Sequence, residues 1–446
     1  MTLIDIKKAI ILAAAVITLP SCLEMIPQDS VSSEGVIVDV KSAEVVLTGA
    51  YDAMQSCESY AVTTLNYAGD NVVLYSSQAI IVPQFKAAGV SGWDPLAGGG
   101  YNSYYTAINQ LNTILAYLPK VVQSSAGDKI LAEAHFLRGL AYFDLARTYG
   151  GVPLVLAPSE SPSSTSGIKK SSYTDVLVQV RKDLEEAATL FDSTLPDKGR
   201  ASIWAAYALL ARLSLYQQRY EDAANYASRV IDSGMFSLCN EPADFFRTAK
   251  SEESIFEFIF SSSDKLPFYT YYLPADKGGR LDYIPTPELS RELLVPEKGG
   301  KRAQLIEDKG DGVYVIAQYA KQDGSSSIQT LRLAEQYLIR SEARLKQASP
   351  DAAGALADLN VIRGRAGLAP LSGTDSDALL LQIETERRYE LAFDGHRFND
   401  IIRTGRAASV FGAYDPIFEN SNYWVLPFPN NAILADPDDL EQNPGY

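Results

Sequence analysis

Two neighbouring amphipathic segments with regularly spaced small residues place the strongest limit on how this chain folds. Residues 202–217 and 220–232 both repeat apolar side chains at helical spacing, with a short connection between them. Small side chains alternate with bulky Tyr and Leu, at Ala205, Ala208, Ala211, Ala223, Ala224 and Ala227. Because small residues let two helices approach closely, we predict an antiparallel helix pair here.

This pair resembles the helix pairs of tetratricopeptide proteins, whose repeat is about 34 residues. A second pair is predicted at residues 331–347 and 351–366. Further helical patterns cover residues 42–54, 105–118, 128–149 and 173–190. The repeats are degenerate and interrupted, so we expect a repeat-like scaffold and not a regular array.

Two irregular regions interrupt the helices. Residues 66–104 are punctuated by glycine, with Tyr and Trp interspersed, which is typical of a long loop or an irregular lobe. Residues 236–328 are rich in turns, apart from residues 255–260, which alternate like a strand. Little here predicts a large sheet. The predicted fold class is therefore mainly α, with tetratricopeptide-like helix pairs forming a scaffold for a second, irregular and loop-rich lobe.

The N-terminus has the pattern of an export signal. A short basic region precedes residues 9–19, an apolar run shorter than the roughly 20 residues of a transmembrane helix. The run closes with Leu-Pro-Ser-Cys at Cys22, which resembles the lipobox of bacterial lipoproteins. We predict that residues 1–21 are a lipoprotein signal peptide, that Cys22 is lipidated, and that residues 22–34 are a lipidated tether. The alternative is an ordinary secretory peptide with a chance cysteine.

The charge balance and residue counts exclude several classes of function. The 446 residues include 39 Lys and Arg against 55 Asp and Glu, a net charge of −16, which argues against nucleic-acid binding. Two His and three Cys leave little for a metal site, and we predict no cofactor and no metal. Carboxylates and carbonyls leave Ca²⁺ binding open, although no Asp-x-Asp-x-Asp loop is present. Cys57 and Cys239 either form a disulfide or stay as buried thiols, and their spacing does not decide.

Charged helical stretches raise the question of catalysis. One surrounds His135. Another begins at Glu384 and repeats carboxylates on one helical face at Glu386, Glu390 and Asp394. We expect packing and ion pairing at both stretches. The predicted partners on the second are Arg387, Arg388 and Arg397. The sequence contains no nucleophile-elbow, phosphate-loop or zinc-protease motif, so no catalytic residue is predicted.

Several blocks spread along the chain carry a family resemblance. They are residues 105–112, 132–145, 149–154, 359–368, 383–400, 426–429 and 442–446. The central block, Ala-Glu-Ala-His-Phe-Leu-Arg-Gly-Leu-Ala-Tyr-Phe-Asp-Leu, leads into Tyr-Gly-Gly-Val-Pro-Leu. Together with the lipobox, these blocks resemble the RagB/SusD family of nutrient-uptake outer-membrane lipoproteins, of the SusD-like, starch-binding type, in the same order and over essentially the whole chain.

The resemblance implies a fold, a place and a role. Residues 35–235 would form the N-terminal SusD-like part with the helical scaffold, and residues 236–446 the C-terminal RagB/SusD part. The protein would be lipid-anchored on the cell outer membrane and exposed at the surface. It would capture an oligosaccharide without catalysis and deliver it to a SusC-like TonB-dependent β-barrel transporter. We also keep a peptide receptor, a surface glycoside hydrolase and a periplasm-facing adaptor as alternatives.

A glycan receptor needs exposed aromatic rings beside planar polar groups, because a pyranose presents both a C–H face and hydroxyls. Trp93, in the glycine-rich stretch, is the leading candidate for such a ring. The further candidates for ligand binding are Asn71, Tyr75, Tyr101, Asn102, Tyr269, Tyr271, Tyr272, Arg280 and Tyr283. Which glycan or peptide they bind does not follow from the sequence.

Overall fold

The computed structural model of this chain is mainly helical, as predicted, and describes residues 33–75, 81–82, 100–161, 164, 166–194, 197–436 and 438–446. The predicted signal peptide, Cys22 and Trp93 lie outside these residues. So does the predicted tether, except for its last two positions, where the first helix begins. Among the helices that are described, none is both long enough and apolar enough to cross a membrane.

Helices of very different length make up the scaffold. In the N-terminal part they are α1 (Ser33–Val36), α2 (Val40–Ala68), α3 (Tyr101–Val121), α4 (Ser125–Tyr149), α5 (Tyr173–Leu190), α6 (Ile203–Tyr216) and α7 (Tyr220–Ile231). In the C-terminal part they are α8 (Asp244–Arg247), α9 (Phe268–Tyr272), α10 (Pro287–Leu294), α11 (Leu333–Lys346), α12 (Ala352–Arg365), α13 (Ser376–Glu390), α14 (Arg397–Arg403), α15 (Ala407–Val410) and α16 (Asn430–Ala435).

Side-chain caps explain where the main helices begin. Ser124 accepts from the backbone N–H of Gly127 at the start of α4, and Ser202 does the same for Ala205 at the start of α6. At the other end of α4, Gly150 adopts a φ of +79°, a region that favours glycine. The helix therefore ends at Tyr149, directly before the two glycines of the Tyr-Gly-Gly-Val-Pro-Leu block.

The strands are short and form small antiparallel sheets. They are β1 (Val72–Tyr75), β2 (Ile81–Val82), β3 (Ser254–Phe258), β4 (Tyr283–Pro285), β5 (Ile306–Gly310), β6 (Val313–Ile316) and β7 (Ile328–Arg332). One sheet has the order β2-β1-β4, and the other two are the pairs β3-β7 and β5-β6. Among the described residues there is thus no large sheet, which agrees with the prediction. The β1–β4 pair crosses the predicted boundary between residues 235 and 236.

The helix pairs pack as predicted. α6 lies against α7, α11 lies against α12, and α7 and α11 are also in contact. Small side chains line the contacts between α6, α7 and α11, including Ala211, Ala223, Ala227 and Ala343. The main core cluster contains residues from both parts of the chain, so the two parts share one core.

Two elements differ from the prediction. The helix predicted at residues 42–54 continues to Ala68. The prediction stopped early because the second half of α2 is buried on nearly every side and so lacks a polar face. Strand β3 is buried at all five positions instead of alternating; it pairs with β7 along its edge and contacts helix α6. Cys57 and Cys239 are both buried free thiols, which decides between the two alternatives left open.

Candidate functional site

Four tyrosines from distant parts of the chain meet beside the edge of the β1–β4 sheet. Tyr60 and Tyr67 lie seven residues apart on α2 and so share a face of that helix. The ring centroids of Tyr67 and Tyr283 are 5.8 Å apart, and those of Tyr271 and Tyr283 are 6.2 Å apart. Tyr60 faces Tyr271. We call Tyr60, Tyr67, Tyr271 and Tyr283 the tyrosine cluster.

The tyrosine cluster is open to solvent on its outer side. Tyr60 is 39% exposed, and the other three rings are half-buried. Gly100, where the described chain resumes before α3, lies against the Cβ of Tyr60. The described chain therefore resumes beside the cluster.

Helix α9 divides its aromatic side chains between the core and the cluster. Phe268 and Tyr272 are four residues apart and both contact the buried ring of Tyr319. Tyr271, on the same short helix, is half-buried and contacts Tyr283.

A tight loop brings a cation over the cluster. The backbone N–H groups of Arg280, Leu281 and Asp282 donate to carbonyls of α9 and of Leu273, at 2.7–2.8 Å. This folds the loop back onto α9 and places the Arg280 guanidinium 5.5 Å from the centre of the Tyr271 ring. Arg280 Nη2 also donates to Asp282 Oδ2 at 2.5 Å, while 61% of the arginine side chain remains exposed.

The loop depends on a glycine that no larger residue can replace without movement. A Cβ at Gly279 would lie 2.0 Å from the carbonyl oxygen of Leu273. That oxygen accepts the N–H of Leu281. The close approach of the two backbone segments is therefore what positions Arg280.

The electrostatics keep the hydroxyls of Tyr271 and Tyr283 protonated at neutral pH. Burial raises the pKa of Tyr271, and burial followed by the neighbouring Tyr272 raises the pKa of Tyr283. The hydrogen bond and charge of Asp282 raise the pKa of Arg280. The surface thus offers aromatic faces, hydroxyls that donate and accept, and a guanidinium–carboxylate pair. It is suited to binding a polar ligand with apolar C–H faces.

Of the other predicted ligand residues, Tyr272 contacts the cluster from inside the core, with its ring centroid 6.1 Å from that of Tyr283. The structure places Tyr75, Tyr269 and Asn102 away from the cluster. Tyr75 packs on the opposite face of the sheet, beside Val73 and Ile284. Tyr269 lies beside Lys265, whose Nζ is 5.3 Å from the ring centre. Asn102 is exposed on the first turn of α3.

Three predicted residues are part of the core. The ring of Tyr101 is packed edge-on against Tyr149 and Phe428, with 5% of the residue exposed. Asn71 is completely buried, donates to the carbonyl of Ala392 at 2.9 Å, and accepts from Arg388 Nε at 3.0 Å.

Tyr272, also completely buried, lies 5.8 Å from the ring of Tyr319. Burial raises the pKa of Tyr101 to about 12. In this conformation none of the three presents a surface to a ligand.

Two members of the cluster, Tyr60 and Tyr67, were missed by the sequence analysis. Their spacing of seven residues is a helical signal, but it lies beyond residue 54, where the predicted helix ended. A tyrosine pair at that spacing is the pattern that could have identified them.

The charged stretches form buried ion pairs, as predicted, but partly with different partners. Arg332 donates to Glu253 at 2.8 Å, to Glu390 at 2.7 Å and to Asp394 at 3.0 Å. Arg365 also pairs with Glu390. Of the predicted partners, Arg397 pairs with Glu384 at 3.4 Å, as predicted, and also with Asp70. Arg387 and Arg388 instead pair with Asp400 and Asp70. For these two arginines the prediction was wrong, because adjacent helix positions face different ways.

The stretch around His135 is also held by ion pairs. Arg138 donates to Asp183 at 2.6 Å, and His135 Nδ1 lies 2.9 Å from the same carboxylate. Glu133 accepts from Tyr51 at 2.6 Å and from Arg200 at 2.5 Å. Across the described part of the chain, no group of three or more His, Cys, Asp or Glu is arranged to hold a metal ion.

Two family models match this chain over separate parts of its length. Residues 24–215 match a SusD-like family described as "Starch-binding associating with outer membrane". Residues 312–446 match the SusD family model, SusD_RagB. The chain belongs to the SusD/RagB family. The resemblance inferred from the sequence blocks is thereby confirmed.

The chain is similar in sequence to known relatives over most of its length. The chain is 26% identical to SusD-like protein P38 of Formosa agariphila, covering 96% of this chain and 95% of that protein. It is 26% identical to SusD-like protein P2 of the same organism, covering 71% and 74%.

Solved structures show the same fold. A laminarin-binding SusD-like protein superposes with a TM-score of 0.76 at 23% identity, covering 91% of this chain and 99% of that one. A SusD superfamily protein from Bacteroides vulgatus superposes with a TM-score of 0.79 at 21% identity, covering 92% and 99%.

Proposed function

We propose that this SusD-family protein is a non-catalytic, lipid-anchored surface receptor that binds an oligosaccharide on the tyrosine cluster. The observation that carries the proposal is the exposed group of tyrosine rings with the Arg280–Asp282 pair beside it. Rings of this kind pack on the C–H faces of sugars, and the charged pair supplies hydrogen bonds to hydroxyls. A family model described as starch-binding and a laminarin-binding structural neighbour support this class of ligand.

Some of the predicted site residues form the proposed site, and others stay as further proposed contacts. Tyr271, Arg280 and Tyr283 form the proposed site with Tyr60, Tyr67 and Asp282. Trp93, which lies outside the described residues, stays a proposed contact because of its residue type and its glycine-rich stretch. Asn102 on the first turn of α3, two residues after Gly100, also stays a proposed contact.

Binding tests the proposal directly. The mature lipoprotein, purified in detergent, is titrated by calorimetry with hits from a glycan panel. We expect saturable binding without product, and Tyr271→Ala should weaken it about tenfold, equivalent to about 1.4 kcal/mol. The matched control is Tyr226→Ala, because Tyr226 also stacks on a tyrosine and lies under an arginine, but on the helical scaffold.

Other outcomes would select an alternative. Glycan hydrolysis abolished by a single carboxylate substitution would make the protein a surface glycoside hydrolase. Binding of a peptide panel, lost in Tyr271→Ala, would keep the receptor and change the cargo. Loss of glycan binding in Tyr226→Ala but not in Tyr271→Ala would place the site on the scaffold and contradict the proposal.

We further propose that the receptor works with a SusC-like TonB-dependent β-barrel transporter. Support comes from the family and from its described association with the outer membrane. Purification of the tagged protein from outer membranes should recover a β-barrel of the expected class. The adaptor alternative predicts instead a periplasmic protein partner and no barrel.

Lipid anchoring at Cys22 is proposed on the lipobox pattern, together with the signal peptide at residues 1–21 and the tether at residues 22–34. Cys22→Ser should release the protein from the membrane fraction, while Cys57→Ser should not. Protease added to intact cells should digest a surface-exposed protein and spare a periplasmic one.

A further inference from the structure

A small closed cavity lies in the core between the two regions that match the family models. From the N-terminal region it is lined by Glu58 on α2, Arg147 on α4 and Arg212 on α6. Thr330 on β7 lines it from the C-terminal region, together with Asp394 and His396. Its volume is about 10 Å³, near the smallest that admits one water molecule.

Five polar atoms of residues that line this cavity are buried without a hydrogen-bond partner among the described residues. They are Glu58 Oε1, Arg147 Nη1, Thr330 Oγ1 and both amide atoms of Gln329, Oε1 and Nε2. The four residues are only 1%, 6%, 8% and 5% exposed. Native proteins pair nearly all buried polar groups, often through an ordered water. Five such atoms around one void therefore point to a bound molecule.

The charges around the cavity are already balanced. Arg147 Nε donates to Asp144 at 2.7 Å, and Arg212 pairs with Glu335 at 2.7 Å. Asp394 accepts from Arg332. Burial, followed by Arg212, lowers the pKa of His396 well below its ordinary value, so its ring is neutral. A neutral ligand fits this environment better than an ion.

Glu58 has one oxygen left for a ligand. Burial, followed by the charge of Asp144 and a side-chain hydrogen bond with it, raises the pKa of Glu58 well above its ordinary value and favours the protonated carboxyl. The hydrogen bond with Asp144 leaves Oε1 of Glu58 without a partner. Arg147 supplies an N–H donor, and the hydroxyl of Thr330 supplies either role.

We propose that the cavity holds one ordered water molecule that bridges Glu58, Arg147 and Thr330. The water would accept from Arg147 Nη1 and exchange hydrogen bonds with the other two residues. Water commonly makes about three hydrogen bonds in such sites. It would connect α2 and α4 to β7, and so join the two regions that match the family models at the centre of the core.

A crystal structure of the mature protein tests the occupant. We expect one density peak at about 2.7–3.2 Å from Arg147 Nη1 and Glu58 Oε1, with no anomalous signal after a bromide soak. An anomalous bromide peak there would replace the water with a halide and overturn the proposal. A cavity without density would overturn it as well.

Matched variants test the bridge. Thr330→Val keeps the shape of the side chain and removes the hydroxyl, whereas Thr330→Ser keeps the hydroxyl. We expect Thr330→Val to weaken the density peak and to lower Tm by about 1–3 °C relative to Thr330→Ser. Equal Tm values with an unchanged peak would show that Thr330 takes no part.

Discussion

Arg280 is the residue whose chemistry most limits what the tyrosine cluster can bind. Its guanidinium lies over the Tyr271 ring and is held there by Asp282. Only a planar guanidinium can both stack on a ring and donate two parallel hydrogen bonds.

Arg280→Lys should therefore weaken glycan binding about fivefold to tenfold, or about 1 kcal/mol. The protein should unfold at the same temperature, because this ion pair is exposed. Calorimetry and thermal unfolding measure the two effects. Arg229→Lys, which changes an arginine over the scaffold tyrosine Tyr207, is the control and should leave binding unchanged.

Residue types alone indicated part of this site. Tyr271, Arg280 and Tyr283 stood out because they are aromatic or planar polar groups in a turn-rich region. The same criteria selected Tyr101 and Tyr272, which the core holds. A tyrosine has an apolar body and a polar tip, so composition cannot tell a core tyrosine from a binding one.

At the scale of elements, the loop between α9 and β4 should be the part most sensitive to backbone change. Gly279→Ala would force a Cβ against the Leu273 carbonyl and displace the loop that carries Arg280. We expect about 1–3 kcal/mol of destabilisation and weaker glycan binding.

Urea unfolding and calorimetry measure both effects of Gly279→Ala. The control is Gly364→Ala on α12, where a Cβ would meet nothing within 4 Å. That change should leave binding unaltered and raise stability by up to about 1 kcal/mol, since alanine is the better helix former. A Gly279→Ala protein with full affinity would show that the loop does not position the site.

Helices were predictable where one face is exposed to solvent and the opposite face is buried. The segment at residues 173–190 has that pattern and forms α5 with the same bounds. α2 does not, because buried polar residues such as Glu58, Thr63 and Asn66 remove its periodicity beyond Met54. The pairing of β1 with β4 was not visible either, since short strands so far apart carry no mutual signal.

At the scale of the whole molecule, buried ion pairs should control acid stability. Burial disfavours the charge on Glu390, but Arg365, Arg332 and Arg302 outweigh it and lower its pKa from an ordinary 4.5 to about 2. A lowered folded-state pKa stabilises the protein above pH 4.5, and that stability is lost as the pH falls toward 2.

Thermal unfolding between pH 7 and pH 2 measures the contribution of Glu390. The wild type should lose stability steeply below about pH 4.5. Glu390→Gln should start less stable at pH 7 and lose less stability on acidification. Parallel pH curves for the two proteins would contradict the assignment.

Among the buried arginines, Arg332 should be the one whose substitution lowers the free energy of unfolding the most. Arg332→Met would leave the carboxylates of Glu253, Glu390 and Asp394 without their shared partner, and should destabilise the protein by about 3–5 kcal/mol. Arg247→Met, which breaks an exposed pair at 3.7 Å, should change stability by less than about 0.5 kcal/mol. Urea denaturation compares the two.

The assembly of the tyrosine cluster from both halves of the chain couples ligand affinity to global unfolding. Asp70 and Thr286, which are 216 positions apart, are hydrogen-bonded beside the same strand pair. Unfolding of either half would therefore separate α2 from α9 and destroy the site. By mass action, a ligand at 100 times its dissociation constant should stabilise the entire fold by about 2.7 kcal/mol. A glycan screen can thus be run as a thermal-shift assay, in which any bound sugar raises the melting temperature of the whole protein.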